Sequence, residues 1–275
     1  MHPRLETAGL TAASAALVGA LDPAAPPPSD LYSPEGAAVY EHFTSVDHSE
    51  IAPLTAAARQ TTGTILELAS GGGRVTVPLL SLGRPVVALD LSPTMVETLR
   101  ARIRSLPAAR IASGTRAVEG DMTAFRLPER FGVVVLAATS VALLDAPGRR
   151  ALFDSVRGHL VPDGTFLISA SSPGHHYRPG WQDSRMRAVP GPAGGSGAAV
   201  VTTAVDADGR RRSVEVVHVG LDPAGRPVVR TYRSRVNVID ADALAAEAER
   251  AGFRVAGRSV LPEAEETTLL ELAIR

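Results

Sequence analysis

Residues 65–76 read Ile-Leu-Glu-Leu-Ala-Ser-Gly-Gly-Gly-Arg-Val-Thr (ILELASGGGRVT), and the fold turns on how that stretch is understood. Ile65, Leu66 and Leu68 make a short apolar run, and three glycines follow. Val75, Val77, Leu79 and Leu80 then mark the apolar face of a helix. A strand, a glycine turn and a helix in that order form a nucleotide-type binding loop, because glycine lets the backbone approach a ligand closely. The unpaired N–H groups at the helix start would add donors to the pocket. The alternative is a tight turn with no ligand near it, since αβ folds also use glycine for geometry alone.

Composition bounds what such a loop could serve. The 275 residues suffice for one large domain, or for a domain with an elaborated lobe. A hydrophobic content of 45% supplies a core and excludes general disorder. A formal net charge of −1 leaves no electrostatic footprint for nucleic acid. The chain has no cysteine, which excludes disulfides, thiolate metal sites and thiol nucleophiles. All 28 basic residues are arginine, so lysine Schiff-base chemistry is excluded as well. No apolar run reaches the roughly 18 residues of a membrane span. Residues 8–21, AGLTAASAALVGAL, follow a single Arg4 with Glu6 beside it. They read as a short amphipathic helix in preference to a signal peptide, and the protein is expected in the cytoplasm.

Outward from the glycine turn, the chain alternates. Upstream, residues 22–30 (DPAAPPPSD) form a proline-rich link after the N-terminal helix. Residues 31–54 then bring Tyr32, Tyr40, His42, Phe43 and His48 close together. Either a helix pair packs these aromatics on a core, or they form a lid over the glycine loop with Tyr32 and Tyr40 lining a cleft. A helix over Ile51–Gln60 leads into the first strand. Downstream, a strand at Pro85–Leu89 ends in Asp90, where a carboxylate can accept from both hydroxyls of a ribose. Ser92 and Pro93 are placed to cap and start a helix through Arg104. A third strand lies within Arg110–Glu119, ahead of Gly120-Asp121-Met122. Asp121 is positioned to accept from an exocyclic amine, or else to cap the next turn. The run GVVVLA within Phe131–Ala137 is a buried parallel strand ending at Thr139 and Ser140. A helix over Pro147–Leu160 and a fifth strand over Thr165–Ala170 complete a mostly parallel, doubly wound α/β sheet.

After residue 170 the pattern changes. Residues 171–198, with His175, His176 and the AVPGPAGGSG run, read as a long irregular loop. Residues 199–238 read as antiparallel strands turning at Asp208-Gly209 and at Asp222–Arg226. A helix over Asp240–Ala251 and a strand hairpin, Phe253–Leu261 with Thr267–Ile274, follow. The expected division is therefore residues 1–30 as helix and link, 31–198 with 239–275 as the binding domain, and 199–238 as an inserted β lobe. The lobe is expected to select substrate or to provide a homodimer contact.

With Glu67, Ala69, Gly71, Gly73, Asp90, the Gly120-Asp121-Met122 phrase and VPDGTFLIS in place, the chain resembles class I S-adenosylmethionine-dependent methyltransferases. The resemblance spans about residues 30–275. Within the family it is similar to N-methyltransferases of actinobacterial peptide natural products, the glycopeptide-antibiotic and daptide-tailoring kinds. The shared phrases are LYSPEGAAVY, ILELASGGGRVTVPLLSLG, GDMTAFRLPERFG and LFDSVRGHLVPDGTF. The resemblance implies a Rossmann-like seven-stranded sheet with an antiparallel C-terminal hairpin, and S-adenosyl-L-methionine as cofactor. By the same resemblance, Glu67 and the backbone of Gly71 and Gly73 hold the methionine part, Asp90 the ribose, and Leu91 packs beside the adenine. Asp121 and Met122 hold the adenine by side chain and backbone N–H, and Thr139 lies near the sulfonium. Ala69 departs from the glycine usual there, with only a slight change expected.

A nicotinamide dehydrogenase fits poorly, because the third small residue of its fingerprint would fall on Arg74 or Thr76. A non-catalytic subunit with the same fold has no need of all three cofactor positions. The expected reaction is N-methylation of an amine of a peptide natural product, with O-methylation of a small secondary metabolite, or a non-catalytic binding subunit of the same fold, as the alternatives. The expected partner is a peptide or small-molecule amine. An α-amine with a pKa near 8 is already partly neutral, so a histidine from the lid or from His175-His176 is expected to orient it or take its proton. A surface loop is the competing account of that pair. No further acidic or histidine cluster completes a metal site around it. Arg178, Arg185 and Arg187 would meet acidic residues of a peptide, or else form a solvated surface.

Overall fold

In the computed structural model, which describes residues 10–44, 48–171, 178–261 and 264–275, Ile65–Leu68 form a fully buried strand. In chain order the elements before it are α1 (Ala12–Leu21), β1 (Ser29–Asp30), α2 (Pro34–Thr44) and α3 (Ile51–Arg59). The buried strand is β2, followed by α4 (Thr76–Leu80), β3 (Val86–Asp90), α5 (Pro93–Ser105), β4 (Arg116–Glu119), β5 (Phe131–Leu136), α6 (Ala146–His159) and β6 (Leu160–Ser171). Next come β7 (Gln182–Pro190), β8 (Ser196–Val205), β9 (Arg211–Leu221) and β10 (Pro227–Asn237). The chain ends with α7 (Ala241–Arg250), β11 (Phe253–Leu261) and β12 (Ala264–Ile274). These fall into two compact units, one from the described residues of 1–43 and 174–238, the other from those of 44–173 and 239–275.

The second unit is a seven-stranded sheet in the order β11-β12-β6-β5-β2-β3-β4. Strands β6, β5, β2, β3 and β4 run parallel, and β12 and β11 close the edge antiparallel. The two-residue period of a strand explains why helices cover both faces. Leu66, Leu68, Val134 and Leu136 pack with Leu152, Phe153 and Val156 of α6 and Leu244 and Ala248 of α7. Ile65, Val133 and Val135 pack on the opposite face with Leu54 and Ala58 of α3 and Leu79 and Leu80 of α4. From β2 the chain runs outward through β3 to β4, then returns to the other side of β2 as β5 and continues outward to β6. The order thus reverses between β2 and β5, and their carboxyl ends form the switch point where ligands of open α/β sheets sit. Ser92 caps α5 by accepting from the Met95 N–H, with Pro93 in the first turn as expected.

The third strand occupies Arg116–Glu119, the last part of the stretch expected to hold it, because Ala108–Arg110 form a 3-10 turn and Gly114 adopts φ +92°. The fifth is longer, Leu160–Ser171, because Leu160 pairs with Phe131 of β5 and Ser171 with Thr267 of β12.

The other unit is a five-stranded sheet, β1-β10-β9-β8-β7, antiparallel except where β1 joins β10. Leu31, Val39, Tyr40 and Phe43 cover one face, against Val189, Ala199, Val216 and Tyr232. The N-terminus of α1 is tied by Glu215, a fully buried carboxylate on β9 that accepts from the Thr11 N–H and hydroxyl and lies 3.4 Å from Arg233.

Two expectations are corrected here. Residues 171–198 are not irregular throughout: Gln182–Pro190 is a strand paired with Ala204–Ser196. Its sequence, QDSRMRAVP, carries little strand propensity of its own, and the neighbouring strand supplies the ladder. The lobe is also larger than 199–238, because α1, β1, α2 and β7 belong to it, so residues 31–43 group with the lobe and not with the binding domain. No helix among the described residues is long and apolar enough to cross a membrane.

Candidate active site

Four strand ends lie side by side at the carboxyl edge of the seven-stranded sheet. In spatial order they carry Ala138-Thr139 after β5, Ala69–Gly73 after β2, Asp90-Leu91 at β3 and Gly120–Met122 after β4. Backbone hydrogen bonds stitch them together: Ser70 N–H to the Leu89 carbonyl at 3.1 Å, and Gly120 N–H to the Asp90 carbonyl at 2.9 Å.

Within the glycine turn the chain needs left-handed φ at Ala69 (+51°), Gly71 (+54°) and Gly73 (+94°). A side chain at Gly73 would meet Leu99 of α5 at 2.4 Å, so this glycine serves helix packing. Gly71 differs: a side chain there would meet nothing within 4 Å, and its open side is what a close-lying ligand requires. Its N–H donates to Asp90 Oδ2 at 2.7 Å, while Ser92 N–H donates to Oδ1 at 2.9 Å. Burial raises the Asp90 carboxyl from its ordinary value, against the opposing pull of the backbone N–H groups of Ser92, Gly71 and Leu91. Beside it the apolar Leu91 stands 47% exposed, a flat apolar surface at the ligand edge.

Glu67 is buried on β2 and accepts from the Thr76 hydroxyl at 2.5 Å. Burial pushes its carboxyl up to about 8, although the Thr76 hydroxyl and the charge of Arg74 oppose the rise and Asp90 adds to it. A carboxyl so placed favours a cationic partner. Ser70, also buried in the turn, has a hydroxyl with no hydrogen-bond partner among the described residues. A buried orphan hydroxyl, an open left-handed glycine and a cation-seeking carboxyl together fit a polar ligand that carries a positive charge.

Asp121 is exposed, and its Oδ1 accepts from the N–H and hydroxyl of Thr123 at 2.8 and 2.7 Å. It does cap the following turn, and Oδ2 lies outside those bonds. Met122 packs partly against the core. Ala138 and Thr139 are consecutive left-handed residues, φ +57° and +51°, neither of them glycine. Left-handed backbone costs such residues roughly 1–2 kcal/mol each, so neighbouring groups must hold them.

The structure thus brings together Glu67, Ala69, Gly71, Gly73, Asp90, Leu91, Gly120, Asp121, Met122 and Thr139 on one edge. Tyr32 and Tyr40 belong to the other unit, where their rings meet edge to face with centroids 5.1 Å apart. Tyr40 there packs on the lobe core, which supports the core-packing alternative. His175 and His176 lie outside the described residues. Four residues escaped the sequence reading: Ser70, Arg74, Thr76 and Glu50. Ser70 and Arg74 carry a signal, as polar residues within the turn, and Thr76 as a hydroxyl at the start of the helix that follows it. Among the described residues, no group of three acidic or histidine side chains could hold a metal ion.

The sheet order, its reversed edge strand and this turn define an α/β enzyme that binds a nucleoside-bearing cofactor at its switch point. Residues 65–164 match the family model of the methyltransferase domain. The glycopeptide N-methyltransferase MtfA, solved with S-adenosyl-L-methionine, is 30% identical, with 82% of this chain and 93% of that chain covered and a TM-score of 0.58. The fold is shared with CcbJ, a methyltransferase from Streptomyces caelestis (22% identity, 89% and 98% covered, TM-score 0.69). It is also shared with CalS10, an amino pentose methyltransferase from Micromonospora echinaspora (20%, 85% and 96%, 0.66). The chain belongs to the class I S-adenosylmethionine-dependent methyltransferases. It is an enzyme, and S-adenosyl-L-methionine is its cofactor.

Proposed function

We propose that this methyltransferase transfers the methyl group to an amine of a peptide natural product. The observation that carries this reading is the 30% identity to a glycopeptide N-methyltransferase over 82% of the chain. That span is too long to be filled by residues 65–164, the part matched by the methyltransferase domain model.

S-adenosyl-L-methionine supplies an electrophilic methyl group on a cationic sulfonium. The work left to the protein is to bind, align and exclude water, so that the lone pair of the acceptor lies along the breaking bond. Glu67 and the open side of Gly71 would receive the methionine part, with the Ser70 hydroxyl as a further donor or acceptor. Asp90 would take the ribose hydroxyls, because the lone pairs of its two oxygens outnumber the backbone N–H groups of Gly71, Ser92 and Leu91 that bond to them. Leu91 would pack on the adenine, Asp121 would accept from its amine, and the Met122 N–H would donate to the ring. Thr139 faces the acceptor side of the edge. A neutral amine needs no strong base, because an α-amino group titrates near pH 8.

The test is methyl transfer to a panel of free-amine peptides, the same peptides N-acetylated, aminosugars and phenols, followed by mass spectrometry. Methylation of the free-amine peptides that acetylation abolishes is the expected result. Transfer only to hydroxyl acceptors, or only to aminosugars, would overturn the proposal.

A further inference from the structure

We infer that Glu50 is a positioning residue that couples occupancy of the glycine loop to the conformation of the Ala138-Thr139 corner. Glu50 precedes α3, yet its side chain makes no capping bond to that helix. The carboxylate is buried and points into the sheet edge. There it accepts from the Ala138 N–H through both oxygens, at 2.8 Å (Oε2) and 3.1 Å (Oε1), and pairs with Arg74 Nη2 at 3.2 Å.

Each partner sits at a different part of the site. Arg74 directly follows Gly73 in the cofactor turn, and its charge is felt by Glu67. Ala138 opens the pair of left-handed residues after β5, and the next N–H, that of Thr139, is held by the Ser169 hydroxyl at 3.0 Å. Two consecutive non-glycine residues in this conformation persist only where their surroundings hold them. A carboxylate on the first N–H and a hydroxyl on the second provide that hold. Because one carboxylate serves both Arg74 and Ala138, a ligand that fixes the turn also fixes the corner where the acceptor approaches. Removing Glu50 disconnects the two.

The inference rests on the glycine turn being the cofactor site, and the experiment separates the two claims. Amide hydrogen exchange of residues 137–142 is measured with and without S-adenosylhomocysteine in the wild type, Glu50→Gln and Glu50→Ala, with binding followed by calorimetry. The isosteric Glu50→Gln keeps an oxygen that can accept from the Ala138 N–H but has no charge to form the ion pair with Arg74, so it keeps the comparison available if Glu50→Ala is unstable. In the wild type, S-adenosylhomocysteine slows exchange at the corner. In Glu50→Gln the ligand still binds, at least tenfold more weakly, and that protection is lost. In folded Glu50→Ala, exchange at the corner rises about tenfold even without ligand. Equal ligand-induced protection in wild type and Glu50→Gln would overturn the coupling while leaving the cofactor site intact. Failure of the wild type to bind S-adenosylhomocysteine would remove the cofactor site, and the coupling with it.

Discussion

Glu67 makes the site sensitive to pH, and the sign follows from its burial. Its carboxyl titrates at about 8 in the folded protein, against an ordinary value of 4.5. Between those values the native state holds a proton that the unfolded chain has released. Stability from this group is therefore complete at low pH and is lost as pH rises through 8, by at most roughly 1.4 kcal/mol per pH unit. Denaturant midpoints of the wild type should fall from about pH 5 to about pH 8 relative to Glu67→Gln; parallel curves would refute the assignment. A cationic cofactor prefers the ionised carboxylate, so binding should expel the proton and tighten as pH rises towards 8. Calorimetry in two buffers of different ionisation enthalpy reads that proton, and Glu67→Gln should abolish it. Asp90→Ala removes the group assigned to the ribose and should raise the Kd for S-adenosyl-L-methionine about 30-fold, in keeping with roughly 2 kcal/mol for charge-assisted bonds. An unchanged Kd would cancel that role. Ala69 stands at φ +51°, the conformation that favours glycine. Ala69→Gly relieves that strain but gives the unfolded chain more freedom, two effects of about 1 kcal/mol each that nearly cancel. Its Tm and cofactor Kd should stay close to wild type, and a tenfold Kd change would show that the alanine methyl touches the ligand.

At the scale of elements, the strands with their own hydrophobic signature were legible: β2, β3 and β5 lie where their apolar runs place them, and α5 starts at its Ser-Pro cap. The strand β7 was not, because Gln182–Pro190 lacks that signature and owes its conformation to β8. Gly132 shows the same division. In the sequence it is one more small residue at the head of GVVVLA. In the structure a side chain there would lie 1.6 Å from the Thr62 carbonyl oxygen, a backbone atom that cannot swing aside. Gly132→Ala should therefore cost more than about 4 kcal/mol, beyond the usual range for a single substitution. Soluble expression and thermal melting would show it, and a Tm near wild type would mean the two segments can separate without loss.

Over the whole molecule, the seven-stranded sheet is assembled from two stretches of chain with the lobe sequence between them. Arg149 on α6 and Glu247 on α7 join those stretches by a two-pronged ion pair, at 2.6 and 2.8 Å, with side chains 9% and 19% exposed. Arg149→Ala leaves Glu247 without its partner and should cost about 3 kcal/mol, read as a lowered Tm. A Tm within a degree of wild type would show that the pair contributes nothing to the assembly. The sequence alone determined the alternation of strands and helices, the glycine turn, the acidic ends of β3 and β4, and with them the family and its cofactor. These are local signals, carried by residue period and by contiguous motifs. Tertiary structure alone decided that residues 31–43 join the lobe, that β7 is a strand, and that Glu50 reaches Ala138, 88 residues away. In each of those cases the stabilising partner lies far along the chain, so no window of sequence around the residue contains the interaction that settles it.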